Sequence, residues 1–580
     1  MDTVKIKING IEIETPADST ILTAAESAGI RIPTLCYLKD INEIGACRMC
    51  IVETNTSRAF VTACVYPVSE GMEVKTNTPA LRKARKTTLE LILSDHRMDC
   101  LSCRRNLSCE LQSLSYEYNV EPTKFETKNA PVAQFDDSAP HLIRDNSKCI
   151  LCRRCVAVCR ENQYVGVIGP NERGFETHIG SQFDLPLGST SCTYCGQCIA
   201  VCPTGALVEK DDTAKVWAAL ADETKHVVVA PAPAIRAQLG ESFGLPIGTN
   251  VEGKLVAALR RLGFDGVFDV DTAADICIME EGTELLQRLG GAGPLPLITS
   301  CSPGWVKFAE HYFPELIPNI STCKSPQQMY GALMKTYYAE KMGIAPANLF
   351  VVSIMPCTAK KFEITRDDQS ASGYPDLDVS LTTRELADMI KTSGILFNEL
   401  PDETFDPAFG VASGAAHIFG ATGGVMEAAL RTVAEIVTGE ELASLDFHDV
   451  RGVEAIKEAE YNLNGTVVRV AVTSGLANAK KLLDMVKSGE KDYHVIEIMA
   501  CPGGCVNGGG QPYQNAHVRN FTDLRADRAK ALYSEDAAMT LRKSHENPVV
   551  KQIYEDFLGE PCGHKSHDIL HTSYVPRKVY

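Results

Sequence analysis

The distribution of cysteine constrains this chain more than any other feature. Of 22 cysteines, fifteen lie between Cys36 and Cys202, and only seven are spread over the 378 residues that follow. Disulfides would suit a short secreted domain, but the chain has 580 residues and begins Met1-Asp-Thr-Val-Lys-Ile-Lys, with no hydrophobic signal core and no twin arginine. Thiols spaced by two residues in a reducing compartment read instead as metal ligands. The front third is therefore expected to carry electrons through bound metal, and the chain to be cytoplasmic. Composition narrows the rest. A hydrophobic content of 44% and a charged content of 23% are ordinary for a globular protein. No apolar run reaches the ~18–20 residues of a membrane span. The net charge of −17 argues against nucleic acid or an acidic membrane surface as partner.

The opening predicts a β-hairpin: Val4, Ile6 and Ile8 alternate with polar residues, Asn9-Gly10 supplies the turn, and Ile11 and Ile13 resume the alternation. Thr20 is placed to cap a helix whose packing face is Ile21, Ala24, Ala25 and Ala28. Cys36-x10-Cys47-x2-Cys50-x13-Cys64 follows, resembling the [2Fe–2S] module of plant-type ferredoxin-like domains but departing from the C-x4-C-x2-C spacing. A helix predicted over 80–98 runs into His96-x3-Cys100-x2-Cys103-x5-Cys109. Three cysteines there lack a fourth partner, which His96 supplies. A His-ligated [4Fe–4S] cluster completes the set, and zinc in a Cys3His site is its chemical rival. Next, Cys149-x2-Cys152-x2-Cys155-x3-Cys159 recurs 43 residues later as Cys192-x2-Cys195-x2-Cys198-x3-Cys202-Pro203. This matches the bacterial two-cluster ferredoxin pattern, in which the fourth cysteine of each run serves the other cluster. One cube is then held by Cys149, Cys152, Cys155 and Cys202, the other by Cys192, Cys195, Cys198 and Cys159. Fifteen cysteines and His96 make four sets of four: a wire of one [2Fe–2S] and three [4Fe–4S] clusters.

From about residue 211 the pattern becomes α/β. Apolar strands at Val227–Ala230, Leu349–Ser353 and Val467–Val472 alternate with helices over 252–262 and 427–438, and Thr382-x-x-Glu385 reads as a capping box. One compact domain with two lobes around a cleft is expected. Neither G-x-G-x-x-G after a strand nor G-x4-G-K-[ST] occurs, which argues against a nucleotide cofactor in this chain. The later cysteines fall in three segments: Thr299-Ser-Cys-Ser-Pro-Gly-Trp305, Met355-Pro-Cys-Thr-Ala-Lys-Lys-Phe-Glu363, and Glu497-Ile-Met-Ala-Cys-Pro-Gly-Gly-Cys505 continuing to Gln511. Cys277, Cys323 and Cys562 stand outside them and read as structural thiols.

Together these segments resemble the three signature motifs of [FeFe]-hydrogenases, T-S-C-C-P-x-W, M-P-C-x-x-K-x-x-E and E-x-M-x-C-x-x-G-C-x-x-G. The front half is similar to the long clostridial-type members. The resemblance implies an H-cluster: a [4Fe–4S] cube joined through a cysteine to a di-iron unit carrying CO, cyanide and azadithiolate, with an open iron position for H2. By motif, Cys357 and Cys501 would hold the cube and Cys505 would hold it while bridging to the di-iron unit. Lys360 would contact a cyanide. Met355, Met499, Ser325, Gln327, Phe419, Pro233 and Ala234 would surround the cofactor. Glu281, Glu284, Arg288 and Ser321 resemble the proton relay that ends at the first cysteine of the first motif. Glu281, Glu284 and Arg288 also share a helix face by their spacing of three and four, and a relay carboxyl at Glu281 calls for burial that raises its pKa. The first motif departs from the family at one position: Cys301 keeps the relay thiol, whereas Ser302 stands where a cube ligand is expected. The register makes Cys301 the proton donor and Ser302 the ligand; the reverse assignment is the alternative.

The expected architecture is thus multidomain α+β and α/β. It comprises a β-grasp [2Fe–2S] ferredoxin-like domain over 1–79, a His/Cys3 [4Fe–4S] domain over 80–125, a 2[4Fe–4S] ferredoxin-like domain over 138–210 and an H-cluster domain over 211–580. The implied activity is reversible interconversion of H2 with protons and electrons. A pure electron-wiring subunit and a hydrogenase-like sensory or assembly protein are the rivals. The T-S-C-S-P-G-W variant is similar to catalytic subunits of NAD(P)-linked, electron-bifurcating complexes. Expected partners are therefore a flavin- and NAD(P)-binding subunit, ferredoxin or both, together with H-cluster maturation proteins.

Overall fold

The computed structural model of the protein describes residues 2–121, 125, 134–463 and 465–579. Residues 122–124, just before the expected end of the second domain at 125, lie outside the described residues. The opening hairpin pairs Thr3–Ile8 with Ile11–Pro16 in the register Ile8 to Ile11, and its turn residues Asn9 and Gly10 both have positive φ, 51° and 88°, as a type I′ turn requires. Five strands form the first sheet, in the order Ile11–Pro16, Thr3–Ile8, Glu73–Lys75, Ile51–Thr54, Ser57–Thr62. The helix Ile21–Ser27 begins at Thr20, whose hydroxyl accepts the Thr23 N–H, and buries Ile21, Leu22, Ala24 and Ala25 against that sheet. The helix Pro79–Ser94 then packs Leu89 on Leu111 and Leu114 of the helix Glu110–Glu117.

The repeat predicted at 149–202 is written into the backbone. Leu151 and Arg153 in the first run have φ of 53° and 62°, and their counterparts Tyr194 and Gly196 have 60° and 70°. Left-handed residues beside ligand cysteines turn successive amides inward, the concave geometry that receives anionic groups. A short sheet in the order Leu207–Glu209, Leu142–Asp145, Phe135–Asp136 covers the two runs.

Two four-stranded sheets build the remainder. One runs Gly266–Val267, His226–Pro231, Leu349–Met355, Val379–Thr382, all parallel; the other runs Leu297–Ile298, Val495–Met499, Thr466–Ser474, Ile456–Leu463, with only the last strand antiparallel. Their buried residues belong to separate apolar clusters, the two lobes expected from the sequence. The capping box at Thr382 and Glu385 is present, and the helix Glu252–Leu262 matches its expected span. The helix expected over 427–438 starts earlier, at Gly424. Buried Glu497 of the neighbouring strand accepts the N–H groups of Gly423 and Met426 at 2.6 and 2.7 Å, a cap supplied from another element that local sequence does not reveal. Among the described residues no helix is long and apolar enough to cross a membrane.

Candidate cluster sites and the cavity between the lobes

The front thiols gather in the sets their spacing predicts. Cys50 and Cys64 place their sulfurs 3.3 Å apart, and the Cys36 sulfur accepts the Cys47 N–H at 3.4 Å. Cys149, Cys152, Cys155 and Cys202 line one cavity; Cys159, Cys192, Cys195 and Cys198 line a second. The exchange of the fourth cysteine between the runs is therefore visible in the chain path. Burial first, and then mutual repulsion, lift the thiols of Cys155 and Cys198 far above the ordinary cysteine range. Sulfurs crowded around a buried cavity suit thiolate ligands of a cationic metal cluster. Of the third expected set, Nδ1 of His96 is buried without a hydrogen-bond partner, and Cys109 accepts the Gln112 N–H at 3.5 Å.

The sets do not follow one another in single file, as the word wire implies. Asn42 donates its side-chain amide to both Cys36 O (2.8 Å) and Cys152 O (3.0 Å), joining the first set to the first cube. The His96 set reaches the same cube: a Cβ added at Gly205 would meet the Cys103 sulfur at 2.5 Å, and Arg105 donates to Cys202 O at 2.7 Å. The path is forked, because spacing tells which residues share a site but not which sites adjoin. Beyond the fork, the second cube abuts the lobes. Thr358 donates to Tyr194 O at 2.8 Å, Gln197 donates to Asn507 O at 2.8 Å, and the charge of Cys195 raises the Cys501 thiol further after burial has done most of the work.

All three late cysteine segments leave the carboxyl ends of strands. Leu297–Ile298 leads to Cys301, Leu349–Met355 to Cys357 and Val495–Met499 to Cys501. A crevice at strand ends is the usual ligand position in open α/β sheets. The cavity there is lined by Cys301, Ser302, Cys357 and Cys505, with Pro233, Gln327, Met355, Lys360, Phe419 and Met499. Ala234 and Ser325 stand behind this lining, both buried. The Lys360 ammonium is held at the wall by Ser325 Oγ (2.7 Å), Glu363 Oε2 (2.8 Å) and Cys301 O (3.2 Å). Glu363 also accepts from Ser325 and Gln327. Cys301 and Ser302 turn to different neighbours: Cys301 packs with the apolar group of Ala274, Phe419 and Met499, while Ser302 Oγ accepts the N–H of Ala500, next to Cys501, at 3.2 Å. Three thiols and a hydroxyl at one apolar cavity, with a fixed ammonium on its wall, fit an anionic iron cofactor.

Glu281, Glu284 and Arg288 lie on the buried helix Val270–Leu289 between the lobes. Burial, reinforced by the charge of Glu284, pushes the Glu281 carboxyl up to about 7. It accepts the Ser300 N–H at 3.2 Å and the Ser300 hydroxyl at 3.3 Å. Ser321 donates to Glu284 Oε2 at 2.8 Å, and Arg288 grips Glu284 Oε1 through Nε and Nη2. The sequence reading missed Ser300, although it lies within the first motif. Of the thiols read as structural, Cys323 Sγ lies 3.8 Å from Glu284 Oε2 and Cys562 Sγ donates to Glu280 O at 3.4 Å. These thiols belong to the surroundings of the acidic helix.

Comparison with known proteins agrees with this geometry. The iron only hydrogenase large subunit, C-terminal domain, matches residues 225–509, and the iron hydrogenase small subunit matches 522–577. A 2Fe-2S iron-sulfur cluster binding domain matches 1–79, the NADH-ubiquinone oxidoreductase-G iron-sulfur binding region 85–124, and a 4Fe-4S dicluster domain 148–206. The chain is 49% identical to the NADP-reducing hydrogenase subunit HndD of Solidesulfovibrio fructosivorans over the full length of both, and 43% identical to iron hydrogenase 1 of Clostridium pasteurianum over 98% of this chain and 99% of the other. Its fold is similar to the [FeFe]-hydrogenase HydA1 of Chlamydomonas reinhardtii, with TM-score 0.58 and 44% identity over 64% of this chain and all of that one. Its cofactors are accordingly one [2Fe–2S] cluster, accessory [4Fe–4S] clusters and an H-cluster. Thiols sorted into buried cavities, a forked path between them and an acidic helix leading to the last cavity are the parts of an oxidoreductase acting on hydrogen, and the chain belongs to the [FeFe]-hydrogenase family.

Proposed function

We propose that the chain is the hydrogen-converting subunit of a multisubunit, NADP-linked hydrogenase, exchanging electrons with a flavin- and NAD(P)-binding partner. The observation that carries this is the full-length likeness to a subunit named for NADP reduction. Cys357, Cys501, Cys505 and Ser302 would hold the H-cluster, which when bound supplies an iron with an open position for H2. The residues of this chain manage the protons. Cys301 is the thiol at the cavity wall and takes the proton to or from the cofactor. Glu281, with a carboxyl near 7, accepts and releases protons at neutral pH with little cost in either direction. Ser321, hydrogen-bonded to Glu284, carries the exchange outward, and Arg288 fixes the position of Glu284. Met355, Met499 and Phe419 keep the cavity apolar and exclude water. Lys360 presents an ammonium whose direction is fixed by Ser325 and Glu363, suited to an anionic ligand.

The test is a gas-uptake assay on the complex isolated from its native cells, with NADP, oxidised ferredoxin and both together, alongside iron analysis. H2-dependent reduction of NADP and about 20 iron atoms per chain, the sum over four front clusters and a six-iron H-cluster, are expected. Reduction of ferredoxin alone by the isolated chain would replace the complex with a ferredoxin-linked monomer. About 14 iron atoms or fewer, the front clusters alone, with no CO or cyanide infrared bands after maturation, would reject the assignment.

A further inference from the structure

Two side chains at the second cube have nothing in the protein to bond to. His141 is completely buried and Gln163 is 1% exposed. Both ring nitrogens of the first and both amide atoms of the second lack a hydrogen-bond partner among the described residues. Native chains rarely leave such groups unpaired. Both side chains line the cavity formed by Cys159, Cys192, Cys195 and Cys198. Their positions are fixed from outside it. The His141 carbonyl accepts the Lys210 N–H at 3.1 Å, and its ring packs on Tyr194 with centroids 4.7 Å apart. Gln163 follows Cys159 by four residues, and its backbone N–H donates to Val158 O at 3.2 Å. Burial, and then the charges of Lys307 and Lys361, push the His141 imidazole down to about 3, so the ring is neutral and carries a single N–H. Beside them stand Val165, Ile168 and Leu187, apolar walls that offer no acceptor. No cysteine sulfur accepts from these N–H groups either. The acceptors that remain are the inorganic sulfides of the cube that the cavity would hold. The first cube's cavity differs. Its buried Asn146 donates to Ile179 O and Gln134 Oε1, and its buried Thr204 donates to Lys148 O. Arg144, whose Nε is unpartnered, lines both cavities and so does not distinguish them.

We propose that His141 and Gln163 donate N–H groups to sulfides of the second cube, stabilise its reduced state, and make this cube the station where an electron waits beside the lobes. An added electron increases the negative charge on the sulfides. An N–H aimed at them therefore stabilises the reduced cube more than the oxidised one and raises its potential. The step is a one-electron exchange: the first cube gives up the electron, the second gains it, and no bond is made or broken. Interconverting H2 takes two electrons, whereas each cube carries one. An electron held at the second cube, next to the Cys501 segment, is at hand for the second transfer. The inference rests on the ligand assignment of the two cysteine runs and is independent of which partner delivers the electrons.

The experiment is a redox titration of the loaded enzyme followed by electron paramagnetic resonance. His141→Phe keeps a ring against Tyr194 and deletes both nitrogens, and Gln163→Leu deletes the amide. In each variant the same [4Fe–4S] midpoint should fall, by about tenfold in the reduction equilibrium, or ~59 mV for one electron. The double variant should fall further. About 20 iron atoms and the CO and cyanide bands should be retained. His141→Gln, which keeps an N–H donor, should move the midpoint less than His141→Phe. Unchanged midpoints, shifts in two different midpoints, or equal shifts in His141→Gln and His141→Phe overturn the proposal. If one substitution costs the cube its iron, the other decides; loss in both makes the side chains structural and overturns it too. The midpoints are read without H2, so an enzyme inactive toward H2 that still shows the shift would reject the hydrogenase reading and support this one.

Discussion

Glu281→Gln should make the protein more stable at alkaline pH while stopping its turnover. Glutamine keeps the shape of the side chain and can still accept from Ser300, but it cannot exchange a proton. The carboxyl of Glu281 titrates near 7 in the folded chain, raised from 4.5 by burial and then by Glu284. Because the folded value lies above the unfolded one, its contribution to stability is complete below about pH 4.5 and is lost as pH rises through about 7. At 1.36 kcal/mol for each pH unit, the loss is roughly 3 kcal/mol. The variant has no such loss, so its stability relative to wild type should rise by about 3 kcal/mol between pH 4.5 and 8. Turnover should fall by about 10²–10⁴, the usual range for removing a positioned acid–base group. Denaturant unfolding of the unloaded protein followed by tryptophan fluorescence measures the first quantity. Both tryptophans, Trp217 and Trp305, lie after residue 211 and so report on the lobes alone. H2 uptake and the CO and cyanide bands measure the second. Parallel pH–stability curves for the two proteins, or a wild-type rate in the variant, would refute the reasoning.

Cys301→Ala should leave the six-iron cluster assembled, with its infrared bands, and collapse H2 turnover, whereas Ser302→Ala should disturb the cube; the opposite pattern would exchange the two assignments. A thiol ionises more readily than a serine hydroxyl, even though burial, and then the charges of Glu281 and Cys505, push the Cys301 thiol well above its ordinary range; a serine alkoxide, harder than thiolate, should lower the potential of a cube it ligates. His96→Ala should remove one cluster, about four iron atoms and one electron paramagnetic resonance signal, while the infrared bands remain. Survival of every signal would exclude His96 as a ligand.

Legibility in the sequence followed the range of the interactions. The hairpin at Asn9-Gly10 and the box at Thr382 are settled within a few residues, so alternation and capping chemistry predicted them. The cube ligands were legible because the run at Cys149 repeats at Cys192, and the acidic face because Glu281, Glu284 and Arg288 fall on one helical turn after another. Contacts across long separations left no such trace. Asn42 reaches Cys152, 110 residues away; His571 reaches Glu280 from 291 residues away; and Glu497 caps a helix it is not part of. Each of these is fixed by how separate elements pack, and no local spacing encodes it. Lys360 shows the intermediate case: its motif marked it as a cofactor contact, but only the fold reveals that Ser325 and Glu363 aim it.

The convergence of Cys36 and Cys103 on one cube makes that cube a confluence. Two donors of different reducing power, docked at opposite shores, would feed a common pool, and nothing downstream could tell their electrons apart. The chain cannot by itself keep the two currents separate; any sorting by energy has to happen before electrons arrive. In return, silting up either tributary slows the supply without stranding the catalyst, since the stretch from the first cube through Cys195 to Cys501 is shared by both.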